Sequence, residues 1–195
     1  MILIDVGSHQ IMHSKGEDNV LNRLDQLLQS KKGSDVDFMV QGQKISAHSL
    51  IIQGASPILT TMFDNATVDK TTKSIEIKNI EPKVFQQLLQ YLYTGDAPGV
   101  EEETMTKSIF LAAEKFQLYS LMNWCSAIMY KKINVNETIH LLIFADMHSA
   151  TQLQEEGLDF IVKNKTAFWT REDLKQLSRT HADLFFEVNK RMNAL

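Results

Sequence analysis

The sequence predicts an α+β fold, with the strands in the first half of the chain and only helices in the second. All three prolines, Pro57, Pro82 and Pro98, lie in the first 98 residues, and the last 97 residues contain only two glycines. Segments in which apolar and polar residues alternate, the pattern of half-buried strands, also occur only in the first half. Helical spacing without internal breakers fills the second half, which is therefore expected to be all-helical.

The composition is that of a soluble globular protein and excludes several function classes. The chain has 195 residues, 44% hydrophobic and 23% charged, with a net charge of −4. Its lysines and arginines are dispersed, whereas nucleic-acid binding requires a basic stripe. No apolar run approaches the roughly 20 residues of a membrane span. A single cysteine and the absence of a secretory signal predict a reducing compartment, the nucleus or the cytoplasm or both.

The first elements are a helix and a hairpin. Residues 1–17 are interpreted as a linker or a remnant strand. A helix over about 18–29 follows, with an apolar stripe at helical spacing made of Val20, Leu21, Leu24, Leu27 and Leu28. Alternation over residues 36–40 predicts a strand, and a turn at Gln41-Gly42-Gln43 leads into a returning strand over 44–47.

Two short helices, a third strand and a long helix complete the first half. The short helices cover 48–54 and the segment after Ser56-Pro57, and residues 64–73 are polar and predicted to be a loop. A third alternating strand covers 74–78. The long helix begins at Pro82 and ends before Gly95, a residue type that favours the left-handed conformation that ends helices. The whole chain is predicted to contain about three strands and about nine helices.

No arrangement for catalysis, metal binding or cofactor binding is found. Glycine-rich phosphate-binding motifs, C-x-x-C and H-E-x-x-H are absent. His140 and His148 are eight residues apart, about two helical turns, which is too far for two ligands of one metal. Cys125 falls on an apolar helix face between Met122 and Met129, so a buried core residue is favoured over a nucleophile. We therefore expect no enzyme, no metal and no cofactor.

The stripe on the first helix has two interpretations. It packs onto the core of its own domain, or it forms a dimer interface, because a helix that precedes the hairpin-built core must bury its apolar face somewhere. The residues alone do not decide between the two.

Several motifs in order resemble the BTB/POZ domain. They fall within residues 34–130, and the segment 143–153 is similar to the helix pair that follows this domain in the speckle-type POZ (MATH-BTB) group. The matching segments are Ser34-Asp35-Val36-Asp37-Phe38-Met39-Val40, Gly42, Ala47-His48, Ala55-Ser56-Pro57, Met62-Phe63, Tyr91-Leu92-Tyr93-Thr94-Gly95 and Leu111-Ala112-Ala113-Glu114-Lys115-Phe116.

The resemblance implies a domain organisation and a function. Residues 18–130 would be the BTB/POZ domain, a small three-stranded sheet with a helical cluster, and 131–195 a helical extension of the BACK or 3-box type. Such chains homodimerise through the first helix and dock on cullin-3 as non-enzymatic adaptors of ubiquitin ligases. Carried over by position, the cullin contact would comprise Met62, Phe63, Thr67, Val68, Asp69 and Leu118.

Departures from the family pattern keep a second hypothesis open. Ser49 stands where the family usually has lysine, and Thr67-Val68-Asp69 stands where the cullin contact usually has a hydrophobic residue, any residue and glutamate. One lost apolar anchor costs roughly 1.5–3 kcal/mol, or about one to two decades in affinity. The alternative is therefore a dimerisation scaffold, transcriptional or cytoskeletal, without cullin binding.

The resemblance also bears on what the chain lacks. In the speckle-type group a substrate-recognising MATH domain precedes the BTB domain, and residues 1–17 are too few to form one. We therefore expect either that a partner, such as a full-length MATH-BTB relative in a heterodimer, supplies substrate recognition, or that this sequence is a fragment or shortened isoform of a longer protein.

Overall fold

The computed structural model describes residues 19–65, 67–69 and 72–193. In these residues the chain forms a four-stranded sheet, eleven α-helices and one 3₁₀ helix. In chain order the elements are α1 (Val20–Ser30), β1 (Val36–Val40), β2 (Gln43–Ala47), α2 (Ser49–Ala55), α3 (Pro57–Asp64), β3 (Thr67–Asp69), β4 (Thr72–Ile77), α4 (Pro82–Thr94), the 3₁₀ helix (Pro98–Glu101), α5 (Glu103–Lys115), α6 (Tyr119–Lys131), α7 (Thr138–Met147), α8 (Thr151–Lys163), α9 (Lys165–Phe168), α10 (Glu172–Thr180) and α11 (Ala182–Asn193). The predicted linker or remnant strand over residues 1–17 lies outside the described residues.

The sheet has the order β2-β1-β4-β3 and contains one parallel pair. β1 and β2 form the predicted hairpin, and Gln41 and Gly42 turn with φ angles of 49° and 80°, as the common two-residue hairpin turn requires. β1 is parallel to β4, and β3 is antiparallel to β4. The prediction of a loop over 64–73 was wrong in part, because β3 forms within that segment and β4 begins at Thr72. The three expected strands are present and β3 is a fourth.

The main core lies between the sheet and the helices that follow it. Phe85 of α4 contacts Phe38 of β1 and Phe116 at the end of α5, with ring centroids 5.0 and 6.1 Å apart. All three side chains are buried. Gly95 ends α4 with a φ of 72°, as its position after the helix predicted.

The C-terminal half is helical throughout the described residues and shares part of this core. Leu141 and Ala145 of α7 and Leu153 of α8 belong to the same buried cluster as the sheet. A second cluster joins the opposite sides of α7 and α8 to the last helices, and its buried members are Ile139, Leu142, Leu158, Ile161, Phe168, Leu174, Leu177, Leu184, Val188 and Met192. The α+β class predicted from the sequence is confirmed.

Polar contacts reinforce the helical half at two places. His148, which follows α7, has its Nδ1 2.9 Å from Oε2 of Glu114 on α5. Arg191 of α11 makes a two-pronged contact with the carboxylate of Glu155 on α8, at 2.7 and 2.8 Å. Within the described ranges, no helix combines the length and apolar character that crossing a membrane requires.

Candidate interaction surfaces

The first helix is attached to the domain along one side. The side chain of Asn19 caps its start and accepts the N–H of Leu21 at 3.1 Å. Leu24 and Leu28 pack against the main core, and Oδ1 of Asp25 accepts a hydrogen bond from the Gln90 carboxamide of α4 at 2.8 Å. The stripe predicted from the sequence therefore serves intramolecular packing in part.

A second side of α1 faces away from α4. Successive residues of an α-helix are about 100° apart, so Val20 and Leu27 share one direction, with Leu24 between them and the α4-facing Leu28. Val20 is 63% exposed and Leu27 is half-buried. The five predicted interface residues thus divide into an outer stripe of Val20, Leu24 and Leu27, which we call the outer α1 stripe, and an inner pair, Leu21 and Leu28.

A further exposed leucine lies on α2, whose start is close to the end of α1. Nε2 of His48 is 3.0 Å from the carbonyl oxygen of Lys32, so the start of α2 lies beside the end of α1. Leu50, two residues farther along, is 86% exposed, whereas Ile52 of the same helix is buried. Helical periodicity could in principle have distinguished the exposed Leu50 from the buried Ile52. A helix of seven residues has too few turns for that periodicity to be recognised in the sequence.

The predicted cullin contact combines α3 with the edge strand that follows it. Met62 and Phe63 at the end of α3 are half-buried and pack against the main core with part of their surface. The Nζ of Lys73 lies 3.9 Å from the centre of the Phe63 ring and donates to the carbonyl of Phe63 at 2.9 Å. The backbone of residues 67–69 forms β3, the last strand at this side of the sheet, so these two parts of the predicted contact are neighbours.

Leu118 does not fit the predicted role. Its side chain is 6% exposed and belongs to the main core, because the residue lies at the junction of α5 and α6. The next residue, Tyr119, is 65% exposed at the first position of α6. A contact at this junction would therefore involve Tyr119 rather than the side chain of Leu118.

Tyr119 lines a cleft where α5 and α6 meet the connection between α7 and α8. The cleft has a volume of about 480 Å³, and its walls include Met122, Glu114 and His148. One wall belongs to α5 and α6, and the other belongs to the connection from α7 to α8. A partner that enters the cleft would therefore contact both pairs of helices.

Cys125 and the histidines of the described residues are the groups to check for a reactive or metal-binding site. Cys125 is buried, and burial raises the pKa of its thiol to about 12, so the thiol stays protonated and unreactive at neutral pH. In the described part of the chain, no three histidine, cysteine, aspartate or glutamate side chains are grouped so as to hold a metal ion. His140 is exposed and His148 is paired with Glu114.

Comparison with known proteins decides the family. The sequence profile of the BTB/POZ domain matches residues 24–133, more than half of the chain. The chain belongs to the BTB/POZ family. BTB/POZ domains are protein-interaction modules that typically dimerise and generally carry no catalysis, which agrees with the surfaces described above.

Curated relatives extend the similarity beyond the BTB/POZ domain. TD and POZ domain-containing protein 1 of Mus musculus is 29% identical over 165 residues, which cover 85% of this chain and 45% of the relative. TD and POZ domain-containing protein 4 of Mus musculus is 29% identical over 153 residues, which cover 76% of this chain and 41% of the relative. The chain thus spans less than half the length of these relatives. Among solved structures, the BTB domain of zebrafish PATZ1 is 21% identical, with a TM-score of 0.49 over 57% of this chain and 89% of that one.

Proposed function

We propose that this BTB/POZ chain is a dimerising, non-enzymatic adaptor subunit that docks on cullin-3. The observation that carries the dimer is the outer α1 stripe. α1 contacts its own domain through Leu24, Leu28 and Asp25, yet Val20 stays 63% exposed on the other side. A second copy would cover this apolar side by symmetric packing of the two α1 helices.

The cullin contact of the proposal comprises the end of α3, β3 and Tyr119. Met62 and Phe63 present half-exposed apolar surface beside an edge strand, which suits a partner that combines apolar and backbone contacts. The sequence Thr67-Val68-Asp69 departs from the family pattern of a hydrophobic residue and glutamate, so the affinity expected for cullin-3 is about one to two decades below that of family members that keep the pattern.

The finer assignments follow from the resemblance. We place the BTB/POZ domain at 18–130 and a BACK-like extension at 131–195, and we group the chain with the speckle-type POZ (MATH-BTB) proteins. The TD and POZ relatives support the combination of a POZ domain with further helices, since their similarity reaches across 76–85% of this chain. In this proposal the protein acts in the nucleus, the cytoplasm or both, and it forms heterodimers with full-length MATH-BTB chains.

Light scattering after size exclusion tests the dimer. Val20→Asp introduces a charge into the outer α1 stripe at a position exposed in the monomer, so it should yield a folded monomer. Asn22→Asp adds the same charge on the same helix, at an exposed residue off the stripe, and should remain dimeric. Leu24→Asp should also dissociate the dimer, with some loss of stability because Leu24 contacts the core. If Val20→Asp stays dimeric, the interface is elsewhere.

Calorimetric titration with an N-terminal cullin-3 fragment tests the docking. The wild-type chain should bind at micromolar to tens of micromolar concentrations, and Tyr119→Ala should weaken binding severalfold. Trp169→Ala, which removes another half-exposed aromatic ring beside the second cluster, is the matched control. Absence of heat with a dimeric wild-type chain would instead support the dimerisation scaffold without cullin binding.

A further inference from the structure

The outer edge of β2 has backbone groups that no described residue pairs with. In the part of the chain that the structure describes, β2 is the terminal strand of the sheet and pairs with β1 alone, in the register Val40 with Gln43 and Phe38 with Ile45. In a two-residue hairpin the closing pair is hydrogen-bonded, so Gln43, Ile45 and Ala47 bond to β1 while Lys44 and Ser46 direct their N–H and C=O groups outward. No other backbone or side-chain group in the described residues bonds to these four groups.

A cavity of about 310 Å³ runs along this edge. Four consecutive residues of β2, 43–46, line it, and since neighbouring side chains of a strand point to opposite faces, the cavity must follow the edge of the strand rather than one face. The end of α1 and one side of α4 form its other walls. Leu28, Ile45 and Leu89 supply apolar surface, and the volume is at the lower end of the range typical of ligand sites, about 300–1,000 Å³.

The polar lining of the cavity is dominated by carboxamides from all three walls. Three of them are engaged within the protein: Gln87 accepts the N–H of Gly99 at 2.7 Å, and Gln90 and Gln29 donate to Asp25 at 2.8 and 3.3 Å. The carboxamides of Gln43 and Gln86 form no hydrogen bond within the described chain and can donate to a bound molecule. The full set is Gln29, Gln43, Gln86, Gln87 and Gln90.

The charge of the cavity is opposite to that of the chain. The protein has a net charge of −4, yet the lining residues include two lysines and no carboxylate. Lys44 is paired with Asp37 across the hairpin. Lys31, exposed at the end of α1, forms no ion pair within the described residues, so its ammonium group is available to an anionic side chain.

We propose that the β2 edge binds an extended, acidic segment of a partner protein, which joins the sheet as an additional strand. The backbone of that segment pairs with the outward groups of Lys44 and Ser46, the usual mode of strand addition to a free edge. Every second side chain of the segment then faces the cavity, where Lys31 and the carboxamides of Gln43 and Gln86 receive a carboxylate. This site lies at the opposite edge of the sheet from β3 and is separate from the proposed cullin contact.

Amide-resolved NMR with a defined peptide tests the proposal. The probe is a blocked seven-residue peptide of alternating valine and glutamate, added to the full ¹⁵N-labelled chain up to about 2 mM, a range that covers millimolar dissociation constants. The amide signals of Lys44 and Ser46 should shift in a saturable way. A peptide with lysine in place of glutamate should bind at least fivefold more weakly, and N-methylation of alternate amides that pair with the edge should abolish binding.

Variants of the protein separate the backbone and charge contributions. Ser46→Pro removes an outward N–H that β1 does not use, a position where edge strands tolerate proline, and should abolish peptide binding. Ser46→Ala keeps that N–H and should bind like the wild type. Lys31→Glu should weaken binding about three- to tenfold, whereas Lys163→Glu, an exposed charge reversal on α8, should not.

Three results would overturn the proposal. The first is no shift of the Lys44 and Ser46 signals at the highest peptide concentration. The second is equal binding of the glutamate, lysine and N-methylated peptides. The third is a shift of the same two signals on dilution of the protein alone, which would assign the edge to a second copy of this chain.

Discussion

The carboxylate of Asp35 holds the first residue of α2, Ser49, through two hydrogen bonds. Oδ1 accepts the backbone N–H of Ser49 at 2.7 Å, and Oδ2 accepts its hydroxyl at 2.5 Å. His48, the residue just before α2, forms no side-chain cap of its own. Ser49, which stands where the family pattern usually has lysine, thus supplies both donors through its own N–H and hydroxyl. Asp35 thus caps α2 from the loop that precedes β1.

Replacing Asp35 should destabilise the protein in a pH-dependent way. Desolvation by itself raises the pKa of Asp35, but the hydroxyl and backbone N–H of Ser49 outweigh it, and the pKa is lowered from its usual 3.8. A lowered pKa stabilises the fold at pH values above the ordinary pKa, and this contribution is lost as the pH falls through the lowered value. Asp35→Asn should cost about 0.5–1 kcal/mol at pH 7, low in the range for helix caps because Asp35 is exposed.

Urea unfolding at a series of pH values from 7 to 3 measures this effect. The difference in unfolding free energy between wild type and Asp35→Asn should be constant near neutrality and shrink at the acidic end. Asp96→Asn replaces an exposed carboxylate that accepts no hydrogen bond in the described residues, and it should leave the unfolding free energy nearly unchanged at every pH. A difference for Asp35→Asn that is as large at pH 3 as at pH 7 would contradict the role assigned to the carboxylate.

Removing the Tyr93 hydroxyl should destabilise the junction of β2, α2 and α4. The hydroxyl accepts the backbone N–H of His48 at 2.8 Å and lies 2.7 Å from Nδ1 of the same residue. Tyr93→Phe leaves that N–H without a partner, which costs about 1–3 kcal/mol. Tyr119→Phe, at a 65% exposed ring, should change the unfolding free energy by less than about 0.5 kcal/mol.

Tyr93 should also make the stability of the protein fall at alkaline pH. Burial raises the pKa of Tyr93 from 10.0 to about 12, so the fold favours the neutral phenol. The stabilisation of the folded state that follows from this raised pKa is complete below pH 10 and is lost as the pH rises towards 12. The gap in stability between wild type and Tyr93→Phe should therefore narrow over that interval. Denaturant unfolding between pH 9 and 11.5 measures it, and a gap that widens would contradict the assignment.

Cys125 should resist thiol reagents for as long as the protein is folded. The side chain is buried and its pKa is raised to about 12, so both access and thiolate formation are suppressed at pH 8. Labelling with a chromogenic disulfide reagent should be complete within minutes in denaturant and limited by unfolding in buffer. Ser178→Cys places a thiol at an exposed position, and its labelling rate is the reference for an accessible cysteine. Labelling of Cys125 in buffer at that same rate would show that this helix face opens.

The parts of the fold that were predictable are those set by local pattern. Alternation predicted β1 and β2, and helical spacing with Gly95 at the end predicted α4. β3 was not predicted, because the pattern of a three-residue strand is too short to detect and the strand forms by pairing with β4. The parallel pairing of β1 with β4 also depends on tertiary packing, because a segment of 31 residues that includes β2, α2, α3 and β3 separates them.

The candidate surfaces were predictable as segments but not side chain by side chain. The five apolar residues of α1 share one stripe in the sequence, and only the position of α4 separates Leu28 from Val20. Leu118 and Tyr119 are neighbours at the start of α6, and the packing of α5 on α6 buries one and exposes the other. The β2 edge and its cavity combine residues that lie up to 62 positions apart, from Leu28 to Gln90, so no local pattern marks them.

Any side chain added at Gly157 should weaken the contact between α7 and α8. A methyl group built there would lie 2.8 Å from Cδ2 and 3.2 Å from Cγ of Leu142, a fully buried residue whose side chain would have to shift within the packed core. Gly157→Ala should therefore destabilise the protein by about 1–3 kcal/mol, even though alanine is the better helix former.

A matched substitution and a double mutant isolate the cause. Gly54→Ala also replaces a helical glycine, but nothing lies within 4 Å of the new methyl group, so it should be neutral or stabilising by up to about 1 kcal/mol. Leu142→Ala removes the atoms that clash with Gly157→Ala and leaves a cavity that the new methyl group partly fills. The double mutant should thus be more stable than the sum of the two single losses predicts, by about 1 kcal/mol or more. Additive losses in denaturant unfolding would mean that the close approach of α7 and α8 does not limit the residue at position 157.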